Sequence, residues 1–97
     1  MNTATWYMSL INEFIYLPRF KRDYRKLSSV SKGRVKKALF QMEKDLKYPS
    51  LHVKGIKGTK NIWEAGASGN LRITFNLEGN IIVLRTVSEH DILNRQP

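Results

Sequence analysis

"NLRITFNLEGNIIVLRTV", residues 70–87, is the stretch whose reading decides the fold. Its first half alternates, so Leu71, Ile73, Phe75 and Leu77 share one face of a strand, and Arg72, Thr74 and Asn76 share the other. "EGN" separates it from a second β-branched run, "IIVLRTV", at 81–87. A connection that short cannot carry a crossover, so the two runs pair antiparallel. Upstream, "NIWEAGA" at 61–67 is joined through "SG" and adds a third strand to an antiparallel meander.

Register follows from the turns. With Glu78-Gly79 as a two-residue turn, Leu77 pairs with Asn80, Phe75 with Ile82 and Ile73 with Leu84, which sets Arg72 opposite Arg85. A two-residue slip would move that pairing and leave both arginines on one face. With Ser68 to Asn70 as a three-residue loop, Gly66 faces Arg72 and Glu64 faces Thr74. Like charges opposed across a sheet destabilise it, so the arginines read either as an anion site or as two internal ion pairs. Glu64 and Asp91 are the candidate carboxylates for the second reading. Trp63 shares parity with Ala65 and Ala67, which puts it on the core side and not on an exposed stacking surface.

Toward the N-terminus, residues 10–17, "LINEFIYL", suit a strand, and Pro18 fits the first position of a helix. Phe20, Tyr24 and Leu27 make one face of that short helix apolar and leave the other basic. "SSVSKG" breaks it. A second helix is expected from about Ser31, with Val35, Ala38, Leu39, Met42 and Leu46 on one stripe, ended by Pro49. "LHVKGIKGTK", punctuated by Gly55 and Gly58, reads as a loop or short strand. The order is therefore β-α-α-β-β-β: an α+β domain whose N-terminal helical hairpin packs on a small, mainly antiparallel twisted sheet. Ninety-seven residues suit one domain spanning 1–97, with residues 1–9 read as an N-terminal extension.

Composition narrows the chemistry. Seventeen Lys and Arg against eight acids give a net charge of +9. Residues 19–37 hold nine of the basic side chains (Arg19, Lys21, Arg22, Arg25, Lys26, Lys32, Arg34, Lys36, Lys37), with Asp23 as their single acid. Such a one-sided distribution points to a polyanion or an acidic protein partner; a solvated helical face is the bland alternative. No cysteine is present, which excludes disulfides and thiolate metal sites and fits a reducing, cytoplasmic setting. Two histidines, His52 and His90, do not make a zinc set. "GIKGTK" lacks the spacing of a phosphate-binding Walker loop. "WYMSLINEFIYL" is interrupted by Asn12 and Glu13 and is too short to span a bilayer, so no membrane association is expected.

His90 and Asp91 follow the strand that carries Arg85, at the end where Arg72 lies. A histidine moves a proton near neutrality, and a neighbouring carboxylate orients it or takes the proton. An isolated His-Asp pair also commonly ends a strand. Beside arginines on one face, the set suits charge stabilisation at a phosphate together with proton transfer, the requirements for cleaving RNA through its own 2′-hydroxyl.

"FIYLPRFKRDYRKL", "YPSLHVKGIKGTKNIWEA" and "LRITFNLEGNIIVLRTVSEHDIL" together resemble the RelE/ParE toxin superfamily of bacterial type II toxin–antitoxin modules, over about residues 10–93. The resemblance implies a RelE-like mRNA interferase, a ribosome-dependent endoribonuclease that inhibits translation and is neutralised by a cognate antitoxin. By matching position it implies a catalytic set of Arg72 as the charge-stabilising arginine, His90 and Asp91 at the C-terminal position, and Arg85; Arg85, Lys54 and Lys57 would hold phosphates, and Lys60 would bind RNA. The helical residues Arg25, Lys26, Lys32, Arg34, Lys36 and Lys37 would face ribosomal RNA. No cofactor is implied. Glu64 and Gly66 stand where RelE-like toxins often carry basic residues. The superfamily also includes ParE-like members that poison DNA gyrase, and an attenuated RNA- or protein-binding member is the further alternative.

Overall fold

Pro18 opens the first helix. Its missing N–H falls where no intrahelical acceptor exists, and Leu17 before it is extended (φ −70, ψ 154). In the computed structural model, which describes residues 13–89, this helix, α1, spans Pro18–Arg25 and follows a short strand, β1, at Glu13–Tyr16. The part of the expected first strand at residues 10–12 lies outside the described residues. Phe20 is buried, and Tyr24 and Leu27 pack partly buried against the core, as their spacing requires. Asp23, the lone acid of the basic stretch, accepts the Val87 N–H at 3.3 Å and so ties α1 to the sheet.

The second helix, α2, spans Ser29–Lys44, two residues earlier than the Ser31 start expected from the sequence. Ser28 is the reason. Its side chain accepts the Ser31 N–H at 3.1 Å and caps the helix, so the serines that read as a break serve as the N-terminus. The helix also stops before Pro49, because Asp45 turns extended (φ −164, ψ 109). Pro49 instead opens a single 3₁₀ turn, Pro49–Leu51, that drops Leu51 into the core. Val35, Ala38 and Met42 are buried along α2, while Leu39 and Leu46 flank them partly buried.

Four more strands complete a five-stranded sheet: β2 (Lys54–Gly55), β3 (Trp63–Ala67), β4 (Leu71–Glu78) and β5 (Ile81–Ser88), in the order β1-β5-β4-β3-β2. The segment from β2 to β5 is antiparallel throughout, and β1 joins β5 in parallel. Ala65, Ala67, Leu71, Ile73, Phe75, Ile82, Leu84 and Val87 meet the helices in one core. Trp63 packs partly buried against that core, and its indole N–H donates to Asn61 Oδ1 at 3.1 Å. The β3–β4 register is the one read from the sequence, with Gly66 opposite Arg72 and Glu64 opposite Thr74.

The β4–β5 register is not. The two-residue loop is Gly79-Asn80, with Gly79 left-handed at φ 63, so Glu78 pairs with Ile81 and Leu77 with Ile82. A glycine at the first loop position gives the backbone twist that flanking strands need, which explains the two-residue slip. A bulge then adds one more: Phe75 pairs with Leu84 but Thr74 with Thr86, leaving Arg85 as the extra residue. Arg72 therefore faces Ser88, and the predicted Arg72–Arg85 pairing is corrected.

Candidate functional site

On the sheet face away from the helices, a cleft of about 420 Å³ opens between the segment after the 3₁₀ turn and the β3–β4 hairpin. Ser50, His52 and Lys54 form one wall, and Glu64, Gly66, Ser68, Gly69 and Arg72 line the other. His52 is the only non-glycine with positive φ among the described residues (φ 47, ψ 47), and this left-handed turn closes the 3₁₀ segment beside the cleft. An adjoining cleft of about 400 Å³ shares Lys54 and Glu64 and brings in Lys57.

Arg72 is the most elaborately held side chain here. Its Nε lies 3.3 Å from Glu64 Oε2, and Nη1 donates to the carbonyls of Leu71 at 2.9 Å and Gly69 at 3.3 Å. Glu64 is nearly covered, with its side chain 6% exposed, whereas that of Arg72 is 39% exposed. The other carboxylate oxygen, Glu64 Oε1, is buried and accepts no hydrogen bond among the described residues. Of the two readings the sequence left open for Arg72, the internal ion pair is present, and one edge of the guanidinium still borders the cleft.

Arg85 sits elsewhere on the same face. Its Nη1 donates to Asn76 Oδ1 at 2.9 Å, and Asn76 in turn donates to the Asn61 carbonyl at 2.6 Å. The buried hydroxyls of Thr74 and Thr86, 2.6 Å apart, stand between it and Arg72. Arg85 thus belongs to a hydrogen-bonded brace around Asn61 and is not among the residues lining the cleft. His90 and Asp91 lie outside the described residues.

Of the basic residues singled out by sequence, Lys54 and Lys57 border the two clefts. Arg34 reaches across from α2, placing Nη1 3.7 Å from where a side chain on Gly69 would begin. Lys60 is exposed in the β2–β3 loop and lines neither cleft. Arg25, Lys26, Lys36 and Lys37 are exposed on the helical hairpin, and Lys32 lies 5.7 Å from the Tyr24 ring centre. There a second groove of about 340 Å³ has Tyr16, Phe20, Tyr24 and Leu39 as its floor and Lys21, Arg25 and Lys36 at its rim. The Tyr16 phenol is pushed above its ordinary value of 10.0, by burial first and then by the charges of Glu43 and Tyr24.

Sequence reasoning missed Ser50 and His52 as cleft residues; the only signal was a histidine just past a Pro-Ser-Leu turn. Among the described residues no group of three His, Cys, Asp or Glu is gathered to hold a metal, and no helix is long and apolar enough to cross a membrane.

No protein-family model and no curated protein matches this sequence. Solved structures do match in fold. One is the RelB–RelE antitoxin–toxin complex of Methanococcus jannaschii, at 22% identity over 76% of this chain and 87% of that one, with a TM-score of 0.66. The isolated RelE toxin of E. coli matches at 17% identity over 80% of this chain and 83% of its own, TM-score 0.63. The RelBE2 toxin–antitoxin complex of Mycobacterium tuberculosis matches at 15% identity, 84% and 93% coverage and TM-score 0.70.

Proposed function

With the RelE-like fold as premise, we propose that this chain is the toxin of a type II toxin–antitoxin pair and acts as a ribosome-dependent endoribonuclease on mRNA in the cytoplasm. The observation that carries the reading is Arg72, held in a cleft on the open sheet face with Lys54 beside it and Arg34 reaching the turn at its edge. In the proposed reaction the 2′-oxygen of a nucleotide attacks the adjacent phosphorus and the bond to the 5′-oxygen breaks. The products are a 2′,3′-cyclic phosphate and a 5′-hydroxyl. Arg72 stabilises the charge that gathers on the phosphoryl oxygens, a role commonly worth about 10²–10³ in rate.

His90, with Asp91, is assigned the proton transfers: one off the 2′-hydroxyl, one onto the leaving 5′-oxygen. Lys54, Lys57 and Arg34 hold flanking phosphates, while Arg85 braces the sheet and has no direct part. The exposed basic side chains of α1 and α2 face ribosomal RNA, an interaction that weakens steeply with salt. The neutralising partner is an acidic antitoxin, to which the apolar groove with its rim of Lys21, Arg25 and Lys36 offers a complementary surface. Positioned protein groups suffice for 2′-hydroxyl attack, so the reaction as proposed uses no cofactor.

One observation favours a second reading. Glu64 already pairs with Arg72, and Gly66 adds no basic group, as a gyrase-inhibiting toxin or a non-catalytic binding member would permit. Induced expression in bacteria separates the readings. The nuclease arrests translation, and Arg72→Ala or His90→Ala relieves the arrest at equal protein level. Arrest that persists in both variants together with a DNA-damage response would transfer the assignment to gyrase.

A further inference from the structure

The Arg72 guanidinium has three nitrogens, and the protein engages two of them. Nε faces Glu64 Oε2 at 3.3 Å, and Nη1 donates to two carbonyls, Leu71 O at 2.9 Å and Gly69 O at 3.3 Å. Nη2 has no acceptor among the described residues. We propose that Glu64 is a positioning residue for Arg72, holding the guanidinium so that its Nη2 edge is the one offered to the phosphate. The proposal rests on the nuclease reading and names the residue that prepares its charge donor.

The strand geometry makes the contact possible. Gly66 lies directly opposite Arg72 in register, and Glu64 is its next neighbour on the same face of β3. With no side chain at Gly66, the guanidinium lies across that position, Nη1 being 3.7 Å from where a Cβ would stand. A methyl there would meet the guanidinium at ordinary contact distance, so the position lies beside the path from Arg72 to Glu64 without strictly requiring glycine. Glu64 itself is 4% exposed, so it is poorly placed to touch RNA and well placed to be immobile. Its hold on Nε, with the two carbonyls on Nη1, fixes the plane of the guanidinium before substrate arrives. Orientation of this kind lowers the reorganisation needed in the transition state. It also predicts a result that simple charge balance does not, because reach and charge can be varied separately.

Glu64→Gln keeps an oxygen at the same reach and loses the charge; Glu64→Asp keeps the charge and falls one methylene short. Two readouts are taken on each. Steady-state cleavage of mRNA on ribosomes should show Glu64→Gln keeping most of the wild-type kcat, and Glu64→Asp losing at least about tenfold in kcat with KM little changed. In the ¹H–¹⁵N spectrum, the Arg72 Nε–H should be sharp and slow to exchange in wild type and Glu64→Gln, and averaged with solvent in Glu64→Asp. Glu64→Asp as active as Glu64→Gln, or more so, would overturn the proposal. So would a wild-type Nε–H that exchanges as fast as an exposed arginine's. If wild type cuts no mRNA, the nuclease reading fails, and the spectra alone decide whether Glu64 holds Arg72.

Discussion

Replacing Arg72 by lysine keeps the positive charge and removes the fork, and the structure sets what should follow. The arginine meets one oxygen of Glu64 through Nε, donates to two carbonyls through Nη1, and lines the cleft with Nη2 unclaimed among the described residues. A lysine ammonium is a single point on a flexible stem, and beside a carboxylate as covered as Glu64 it should close onto that carboxylate. The ion pair survives, and the cleft loses its charge donor. Arg72→Lys is therefore expected to melt within about 1 kcal/mol of wild type, since exposed ends of such pairs contribute little. Its cleavage rate should nevertheless fall about 10²–10³-fold, roughly 3–4 kcal/mol of transition-state stabilisation, as far as Arg72→Ala falls.

Arg72→Ala should differ from it in stability alone. It strands the Glu64 carboxylate, already with one oxygen unbonded, at a cost of about 1–3 kcal/mol. For a domain of this size that lowers Tm by roughly 5 °C or more. The assay is thermal melting of the three proteins beside single-turnover cleavage of mRNA on ribosomes. A stable Arg72→Lys variant that retains a third or more of the wild-type rate would refute the reasoning, because a point charge would then suffice.

Two further outcomes test the fold that carries the site. Ser28→Ala removes the side-chain cap of α2 and should cost about 1 kcal/mol, read as a Tm lower by roughly 4–8 °C, whereas Ser29→Ala, inside the helix, should change little. Tyr16 has its phenol pushed above 10.0 in the folded state, so the unfolded chain releases that proton first. Stability is then unaffected below the ordinary phenol value and falls as pH rises past it toward the folded value. Tyr16→Phe should flatten that alkaline loss in denaturation curves, and an unchanged slope would count against the raised phenol.

The alternation at residues 70–77 was enough to read which face of β4 meets the helices, and "SGN" was enough to read the β3–β4 register. Both are local: a period of two and a loop of three residues determine them. The β4–β5 pairing failed first at the turn, where Gly79-Asn80 and not Glu78-Gly79 forms the loop, and then at a bulge, which leaves no mark in the alternation. Arg85, the residue it adds, is bonded to Asn76 and does not stand across from Arg72. Serine chemistry misled the reading of α2, since Ser28 breaks a helix or starts one depending on whether the N–H three residues on is free to be capped. The cleft itself was only half legible. Glu64 and Arg72 are neighbours through the sheet, but His52 and Ser50 arrive through a 3₁₀ turn and a left-handed residue whose direction no periodicity encodes.

The measurement that bears most directly on the account is primer extension of mRNA 5′ ends in a reconstituted translation reaction. Purified wild type, Arg72→Ala and His90→Ala run side by side, with a control that lacks ribosomes. The account predicts new 5′ ends with wild type only when ribosomes are present, and their loss in both variants. Wild-type protein that yields no new ends at any concentration, or equal cutting by Arg72→Ala, would contradict it.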